Sequence, residues 1–280
     1  MLVRQALHDV EGLCVKDYSL FTFEDAVTRI HVLAYVDDLI VTGSLLCAKP
    51  VSHPLEKDHH LVRAGGAVLP DPFMYRRLVG RLIYLSVTRP YISYAIHMLS
   101  QFMHAPQELH WEVVLRVVRY LKNNPGQGIL LRAATDLHIT AWFDSDYAGC
   151  SLSRRSLTAW FIQLGGSPVS WRTQKQDVVS RSLAEAEYRS MAETVCELLW
   201  LRELLMFLGV DFSYPIPLDC DNQSAIHISM NPVFNERTKH IETDCHFIRD
   251  EIVRGVMILN MFLLENSADI LTKVLGRKEF

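Results

Sequence analysis

Four acidic side chains in the second half of this 280-residue chain are the strongest candidates for chemistry: Asp144, Glu187, Asp221 and Asp269. Each lies inside an apolar run or at its end, where an unpaired carboxylate is costly to bury. Taken singly, each is also compatible with an ordinary turn or helix cap. As a set of hard oxygen ligands they suit Mg²⁺ or Mn²⁺, and together they could hold two ions for in-line cleavage of a phosphodiester.

The orientation of Glu187 follows from the long helix that the sequence predicts over 183–208. At about 100° per residue, Glu187 lies in the apolar stripe that faces the sheet, so it needs a positive partner. An arginine would be the structural partner and a metal ion the functional one; we favour the metal because two other acids reach the same sheet edge. Glu185 points to the opposite side, where we expect it to be solvated and paired with Arg189. The apolar stripe consists of Leu183, Met191, Leu198, Leu201 and Leu205.

The elements that must position these acids form an α/β layer fold, a mixed sheet flanked by helices. A predicted strand over 137–144 ends at Asp144, and a second over 216–220 is followed directly by Asp221. If these two strands are neighbours, the two carboxylates converge beside Glu187. The remaining predicted elements are strands over 158–163, 169–173 and 256–264, helices over 222–230 and 236–254, and a helical turn from Ala268.

The first 72 residues predict a hairpin followed by a loop-like segment. Two β-type runs over 30–43 flank the pair Asp37-Asp38, which we place at the hairpin turn. The segment 44–72 contains several histidines, and a zinc site is one interpretation of them. Because no matching ligand spacing follows, we favour a solvated linker.

Three helices are predicted next, over 73–85, over 91–103 and from Pro106 to just before Asn124. The third helix buries a stripe that includes Val114 and Val118. A different stripe of the same helix is basic. It is either a solvated face or a surface that contacts phosphates of a nucleic acid. The basic residues are Arg116, Arg119 and Lys122.

Composition sets few limits on function. The formal net charge of −4 argues neither for nor against nucleic acid, so local clusters must decide. The six cysteines show no repeated spacing, which is typical of reduced, intracellular thiols. The N-terminus does not read as a signal peptide, and no window is apolar enough for a membrane span. We therefore expect an intracellular protein, in a cytoplasmic particle or the nucleus, without a membrane.

Several strings of the chain together resemble the C-terminal part of copia-type retrotransposon polyproteins, where the end of the reverse transcriptase is followed by ribonuclease H. The resemblance covers nearly the whole chain and is specific as a set. The strings are Tyr35-Val36-Asp37-Asp38, 75–85, Thr88-Arg89-Pro90, 99–103, 118–122, Ala184-Glu185-Ala186-Glu187-Tyr188, Cys220-Asp221-Asn222, Thr238-Lys239-His240-Ile241 and Ala268-Asp269-Ile270-Leu271-Thr272-Lys273.

The resemblance implies a ribonuclease H-like domain over 135–280, preceded by a palm remnant over 1–47, a linker over 48–72 and a mostly helical thumb or connection segment over 73–134. It implies that this domain cleaves the RNA strand of an RNA–DNA hybrid with two Mg²⁺ or Mn²⁺ ions and recognises backbone and 2′-hydroxyl geometry. The catalytic, metal-binding acids fall on Asp144, Glu187, Asp221 and Asp269. The expected nucleic-acid contacts are Arg116, Arg119, Lys122 and Lys239.

The departures from the family pattern also carry expectations. Most of the palm, including the strand with the third polymerase carboxylate, has no counterpart here, so Asp37 and Asp38 are expected to be a remnant without DNA synthesis. A non-catalytic transposon remnant that at most binds nucleic acid is the alternative to a nuclease. An integrase-like chemistry on the same fold is a third possibility, disfavoured by the order of the acids. Other parts of the polyprotein are possible partners.

Overall fold

The computed structural model describes residues 20–24, 29–35, 38–43, 48–57, 59, 61–63, 66–125, 127–132, 137–210, 214–230, 241–261 and 266–274. Up to residue 43 it describes the backbone alone. The first described elements are three antiparallel strands in the order β1 (Leu20–Glu24), β2 (Arg29–Tyr35) and β3 (Asp38–Gly43). Tyr35 pairs with Asp38 across the second hairpin, which confirms the hairpin predicted over 30–43. Asp37 lies outside the described residues, and the strand β1 was not predicted.

Three helices form the next unit: α1 (Pro72–Leu85), α2 (Ser93–Ser100) and α3 (Glu108–Asn123). α1 begins where expected, because Pro72 occupies the first turn and the Asp71 carboxylate accepts a hydrogen bond from the Phe73 amide. The single helix predicted over 91–103 is wrong at both ends. A 3₁₀ turn (Pro90–Ile92) precedes α2, and the helix stops at Ser100.

α3 begins two residues later than the sequence predicts, and its N-terminal cap explains the difference. Gln107 and His110 satisfy each other's backbone amides in a reciprocal capping box, while the Pro106 carbonyl accepts from the Leu69 amide. Pro106 therefore belongs to the preceding loop. The unit's buried core comes from all three helices and includes Tyr75, Leu78, Leu82, Ile96, Leu99, Val114 and Val118.

The segment before α1 is not a solvated linker throughout. Leu55 and Leu61 are each only 1% exposed and belong to the same core as the three helices. His110 Nε2 donates to the Leu61 carbonyl at 2.9 Å, since its Nδ1 already accepts from the Gln107 amide. These contacts fix part of residues 48–63 on the helices.

A five-stranded mixed sheet forms the second half of the chain. Its strands are β4 (Ile139–Asp146), β5 (Leu157–Leu164), β6 (Ser167–Lys175), β7 (Ile216–Cys220) and β8 (Met257–Met261). Their order across the sheet is β6-β5-β4-β7-β8. β4, β5 and β6 are antiparallel, whereas β7 runs parallel to both β4 and β8. This is the ribonuclease H-like topology that the resemblance implied.

Among the described residues of this half, three helices accompany the sheet: α4 (Leu183–Phe207), α5 (Gln223–Met230) and α6 (Glu242–Val253). α4 packs on β4 and β5 and ends before Gly209, whose φ of +84° suits glycine. The C-terminal turn Asp269–Leu271 is 3₁₀. α6 was predicted from residue 236. Residues 236–240 lie outside the described residues, Ile241 has non-helical backbone angles, and the helix is described from Glu242 onward.

Three expectations about α4 and β4 are wrong. β4 continues to Asp146, so Asp144 lies within the strand and not at its end. Glu185 is buried, not solvated, because α4 also packs against α6, whose Asp244 lies close enough to act on it electrostatically. Its predicted ion pair with Arg189 is present at 3.1 Å. Leu183, assigned to the apolar stripe, is 51% exposed at the first turn.

Candidate metal centre

Asp144 is the most enclosed of the four acids, with 2% of its surface exposed. It lies in the central strand β4, with antiparallel β5 on one side and parallel β7 on the other. The Ser190 hydroxyl on α4 donates to the Asp144 backbone carbonyl at 2.8 Å, which fixes the helix against this part of the strand. The Thr272 hydroxyl donates to the carboxylate oxygen Oδ2. The neighbouring strands, α4 and the C-terminal turn thus surround Asp144, and Thr272 contacts its carboxylate directly.

Glu187 on α4 faces the sheet as helical periodicity predicts, and it is 3% exposed. The Ser145 hydroxyl donates to Glu187 Oε1 at 2.9 Å. The second oxygen, Oε2, is buried and has no hydrogen-bond partner among the described residues. Burial, followed by the neighbouring charge of Asp144, raises the pKa of Glu187 to about 8. A cation near Oε2 would satisfy this oxygen and favour the ionised form.

Asp221 follows β7 and stands at the rim of the cluster, where its side chain reaches solvent. Partial burial and the charge of Asp144 raise its pKa. One oxygen each from Asp144, Glu187 and Asp221 lie within 4.8 Å of one another. The structure therefore brings together three of the four predicted acids from β4, α4 and the end of β7. This is close enough for a shared cation.

Asp269, the fourth predicted acid, lies beside this trio and is joined to it through a lysine. Lys273 Nζ is 2.8 Å from Asp269 Oδ1 and 3.4 Å from Asp144 Oδ2. The charge of Asp269 also contributes to the raised pKa of Asp221, which places the two carboxylates within electrostatic range. Burial alone lowers the pKa of Lys273, but Asp144 and Asp269 outweigh it and the net shift is upward. Lys273 is therefore a charged member of the cluster.

The donor set fits a hard divalent cation. The trio offers carboxylate oxygens without a histidine or cysteine ligand, and Glu187 Oε2 is a buried acceptor that hydrogen bonding leaves unsatisfied. Burial raises the pKa values of Glu187 and Asp221, and the repulsion between acids that approach this closely raises them further. A divalent ion would reverse that repulsion.

Sequence reasoning missed the residues that hold the acids in place. These are Ser145, Thr272, Lys273 and Asn266, whose side-chain amide donates to the Phe143 carbonyl at 2.8 Å. A partial signal existed, because Thr272 and Lys273 belong to the same matched string as Asp269. Ser145 adjoins Asp144, but the periodicity gives no reason for its hydroxyl to meet α4.

The other predicted site residues lie elsewhere. Arg116 forms an ion pair with Glu56 at 2.6 Å and contacts His53, while Lys122 donates to the Ala48 carbonyl at 3.1 Å. Arg119 is partly buried. Arg116 and Lys122 of the basic stripe thus contact residues 48–56 of the same chain. Lys239 and Asp37 lie outside the described residues, and of Asp38 only the backbone is described.

Comparison with known proteins shows that the chain is similar to retrotransposon Pol polyproteins. The chain is 42% identical over 247 residues to "Retrovirus-related Pol polyprotein from transposon RE2" of Arabidopsis thaliana, an alignment that covers 88% of this chain and 17% of that protein. It is 34% identical over 256 residues to "Retrovirus-related Pol polyprotein from transposon TNT 1-94" of Nicotiana tabacum, covering 88% of this chain and 19% of that protein. The chain thus spans less than a fifth of either relative. No family model matches it.

One solved structure, a foamy viral protease-reverse transcriptase in complex with double-stranded DNA, aligns with a TM-score of 0.42 and 8% identity. It covers 88% of this chain and 38% of that one, and a likeness this weak adds nothing to the topology described above. Within the described ranges, no helix combines the length and the apolar character needed to cross a bilayer.

Proposed function

The chain belongs to the copia-type retrotransposon Pol polyproteins, and we propose that its residues 135–280 act as a ribonuclease H that hydrolyses the RNA strand of RNA–DNA hybrids. The observation that carries this proposal is the approach of Asp144, Glu187 and Asp221 to within 4.8 Å. They come from β4, from helix α4 and from the end of β7, in a domain whose sheet has ribonuclease H-like order. A structural core has no need for three mutually repelling acids, whereas phosphodiester hydrolysis does.

Mg²⁺ or Mn²⁺ is the cofactor we propose, with Asp144, Glu187 and Asp221 as ligands to one ion and Asp269 available, with Asp144, to a second. When bound, such ions lower the pKa of the attacking water and stabilise the leaving oxygen. Oxygen-only ligands favour these ions over zinc.

Side chains of the chain itself orient the acids and leave one edge of the cluster accessible. Thr272 and Ser145 hold one oxygen each of Asp144 and Glu187, so the two buried carboxylates cannot rotate freely. Asp221 reaches solvent, which leaves one edge of the cluster open to the backbone of a nucleic acid. Glu187, with its raised pKa, holds a proton at neutral pH until a cation displaces it. A preorganised inner pair and an open rim suit cleavage of a large polymer.

The polymerase activity of the family is outside this proposal. Other parts of the polyprotein are candidate partners, and we place the reaction inside the cell, in a cytoplasmic particle or the nucleus.

A non-catalytic remnant that binds hybrid without cutting it is the second candidate. One contact favours it: the Lys273 ammonium already lies between Asp144 and Asp269. If that ammonium cannot be displaced, the acids are a structural cluster and the fold is a relic of the nuclease.

The deciding experiment uses the full 280-residue chain with a labelled RNA–DNA hybrid, a double-stranded RNA and a double-stranded DNA of one sequence. We expect the RNA strand of the hybrid alone to be cut, in Mg²⁺ or Mn²⁺ and not in chelator, and we expect the Asp221→Asn variant to be inactive. Protection of the hybrid without any cleavage would establish the second candidate instead.

A further inference from the structure

The Lys273 ammonium is the one positive group that the described residues place inside the carboxylate cluster. Its Nζ lies 2.8 Å from Asp269 Oδ1 and 3.4 Å from Asp144 Oδ2. The Asp144 side chain is 3% exposed and the Lys273 side chain is 47% exposed. The ammonium therefore enters from the solvent side and ends against a buried acid.

Hydrogen bonds to the backbone around Lys273 fix this placement. The amides of Thr272 and Lys273 both donate to the Asp269 carbonyl, at 3.1 and 2.9 Å. The Leu271 carbonyl accepts from the Thr173 hydroxyl on β6 at 2.8 Å, and Leu271 is fully buried. The 3₁₀ turn is thus fixed to the sheet, and Lys273 leaves it within reach of both carboxylates.

Two properties of this contact bear on cation binding. An ammonium and a divalent ion repel each other at contact distance, so they cannot share the same carboxylate oxygens. Lysine is also a point charge on a flexible four-carbon stem, and here nearly half of the side chain already faces solvent. The ammonium is able to leave the cluster without any change in the backbone.

We propose that Lys273 is an internal counter-cation that competes with divalent ions for Asp144 and Asp269, so that metal loading requires its side chain to swing out to solvent. The inference rests on the proposed function, since it takes the same acids as ligands. It assigns a regulatory role to Lys273: the lysine keeps the acids together without metal and weakens the apparent affinity for metal. If the internal competitor leaves the site open in only a fraction of the chains, the apparent affinity for the ligand is the intrinsic affinity multiplied by that fraction.

The test is a Mn²⁺ titration of the full-length chain by isothermal calorimetry, comparing the parent with Lys273→Met. Methionine keeps much of the stem and removes the charge, so we expect Mn²⁺ to bind at least about tenfold more tightly. Lys273→Arg keeps the positive charge and should bind Mn²⁺ no more tightly than the parent. Lys49→Met removes one positive charge from an exposed position and controls for net charge. Equal Mn²⁺ affinity in parent and Lys273→Met, or weaker affinity in the variant, overturns the proposal.

Chemical labelling of lysines in the parent chain tests the proposal without any variant. The parent chain is treated with an amine acetylating reagent with and without Mn²⁺, and acetylation is read residue by residue by mass spectrometry. We expect Mn²⁺ to increase labelling of Lys273 and to leave Lys49 unchanged; unchanged or decreased labelling of Lys273 contradicts displacement. Neither readout needs catalysis. If Lys273→Met binds Mn²⁺ more tightly but the parent never cuts hybrid, this inference is supported and the proposed function is rejected. If the parent cuts hybrid but Lys273→Met binds Mn²⁺ with unchanged affinity, the proposed function is supported and this inference is rejected.

Discussion

The Thr272 hydroxyl donates a hydrogen bond to the Asp144 carboxylate across 128 residues of sequence. Thr272 is 1% exposed, and Asp144 is equally enclosed in the central strand of the sheet. The contact ties the C-terminal 3₁₀ turn to the acid at the centre of the cluster. It gives the last described segment of the chain a direct role in orienting a proposed metal ligand.

Replacing Thr272 by valine should therefore weaken both the fold and the site. Valine preserves the shape and removes the donor, which leaves a buried charged acceptor without that partner, at a cost of about 1–3 kcal/mol in the free energy of unfolding. Residues that orient metal ligands typically change affinity by about 10–100-fold, so we expect a loss of that order in Mn²⁺ affinity. Denaturant unfolding and calorimetry measure the two effects. Thr272→Ser retains the hydroxyl and should stay near the parent; a valine variant that matches the parent in both would rule out this role.

The raised pKa of Glu187 predicts that the metal-free chain loses stability as the pH rises. The ordinary carboxyl value of 4.5 applies to the unfolded chain, and the folded value is about 8. Between these values the folded chain binds a proton that the unfolded chain has released, so the stability present below the lower value is lost as the pH approaches the upper one. Asp221 and Asp146 shift in the same direction and add to the effect.

Glu187→Gln removes this titration and isolates its share. We expect the parent's melting temperature in chelator to fall between about pH 5 and about pH 9, and the variant's to fall less, so that the variant is the more stable protein at the alkaline end. Thermal melts of both proteins across that range provide the comparison. Parallel pH curves would mean that Glu187 ionises in the folded chain as it does in water.

For Arg116 of the α3 basic stripe, we expect the ion pair with Glu56 to take the place of the predicted contact with nucleic acid. Each phosphate contact contributes about 0.9 to the slope of log affinity against log salt for duplex DNA. Because Arg116 already contacts Glu56 and His53, we expect Arg116→Ala to leave the slope for hybrid binding nearly unchanged and to lower thermal stability slightly. Fluorescence anisotropy at several salt concentrations measures the slope. A drop of about one unit would assign Arg116 to the phosphate backbone.

Local sequence patterns were sufficient to predict much of this fold and the placement of two of the acids, Glu187 and Asp221. The sequence predicted strands over 158–163 and 169–173, which correspond to β5 and β6, and helical periodicity turned Glu187 toward the sheet. Asp221 was placed correctly because it directly follows an apolar strand. These features depend on neighbours in sequence, where side-chain direction repeats with a known period.

The features of the fold and of the site that the sequence did not predict depend on contacts between distant segments. Periodicity assigns a residue to a face but does not say what that face meets, so Glu185 was expected in solvent although α6 covers it. The partners Ser145, Thr272 and Lys273 were missed for the same reason, since their contacts with Glu187 and Asp144 reach 42, 128 and 129 residues along the chain, respectively. Composition also could not show that Arg116 and Lys122 pack on residues 48–56.

Hybrid cleavage by the parent chain and by Asp144→Asn is the most direct measurement of whether these acids form a catalytic metal site. Asparagine keeps the size of the side chain and removes the charge at the centre of the cluster, so the loss should exceed about a hundredfold, the upper end of what removing a supporting residue costs. We predict that the parent cuts the RNA strand of the hybrid in Mg²⁺ or Mn²⁺ and that Asp144→Asn, folded to the same extent by circular dichroism, does not. Equal cleavage by both proteins, or none by a folded and metal-loaded parent, would contradict the account.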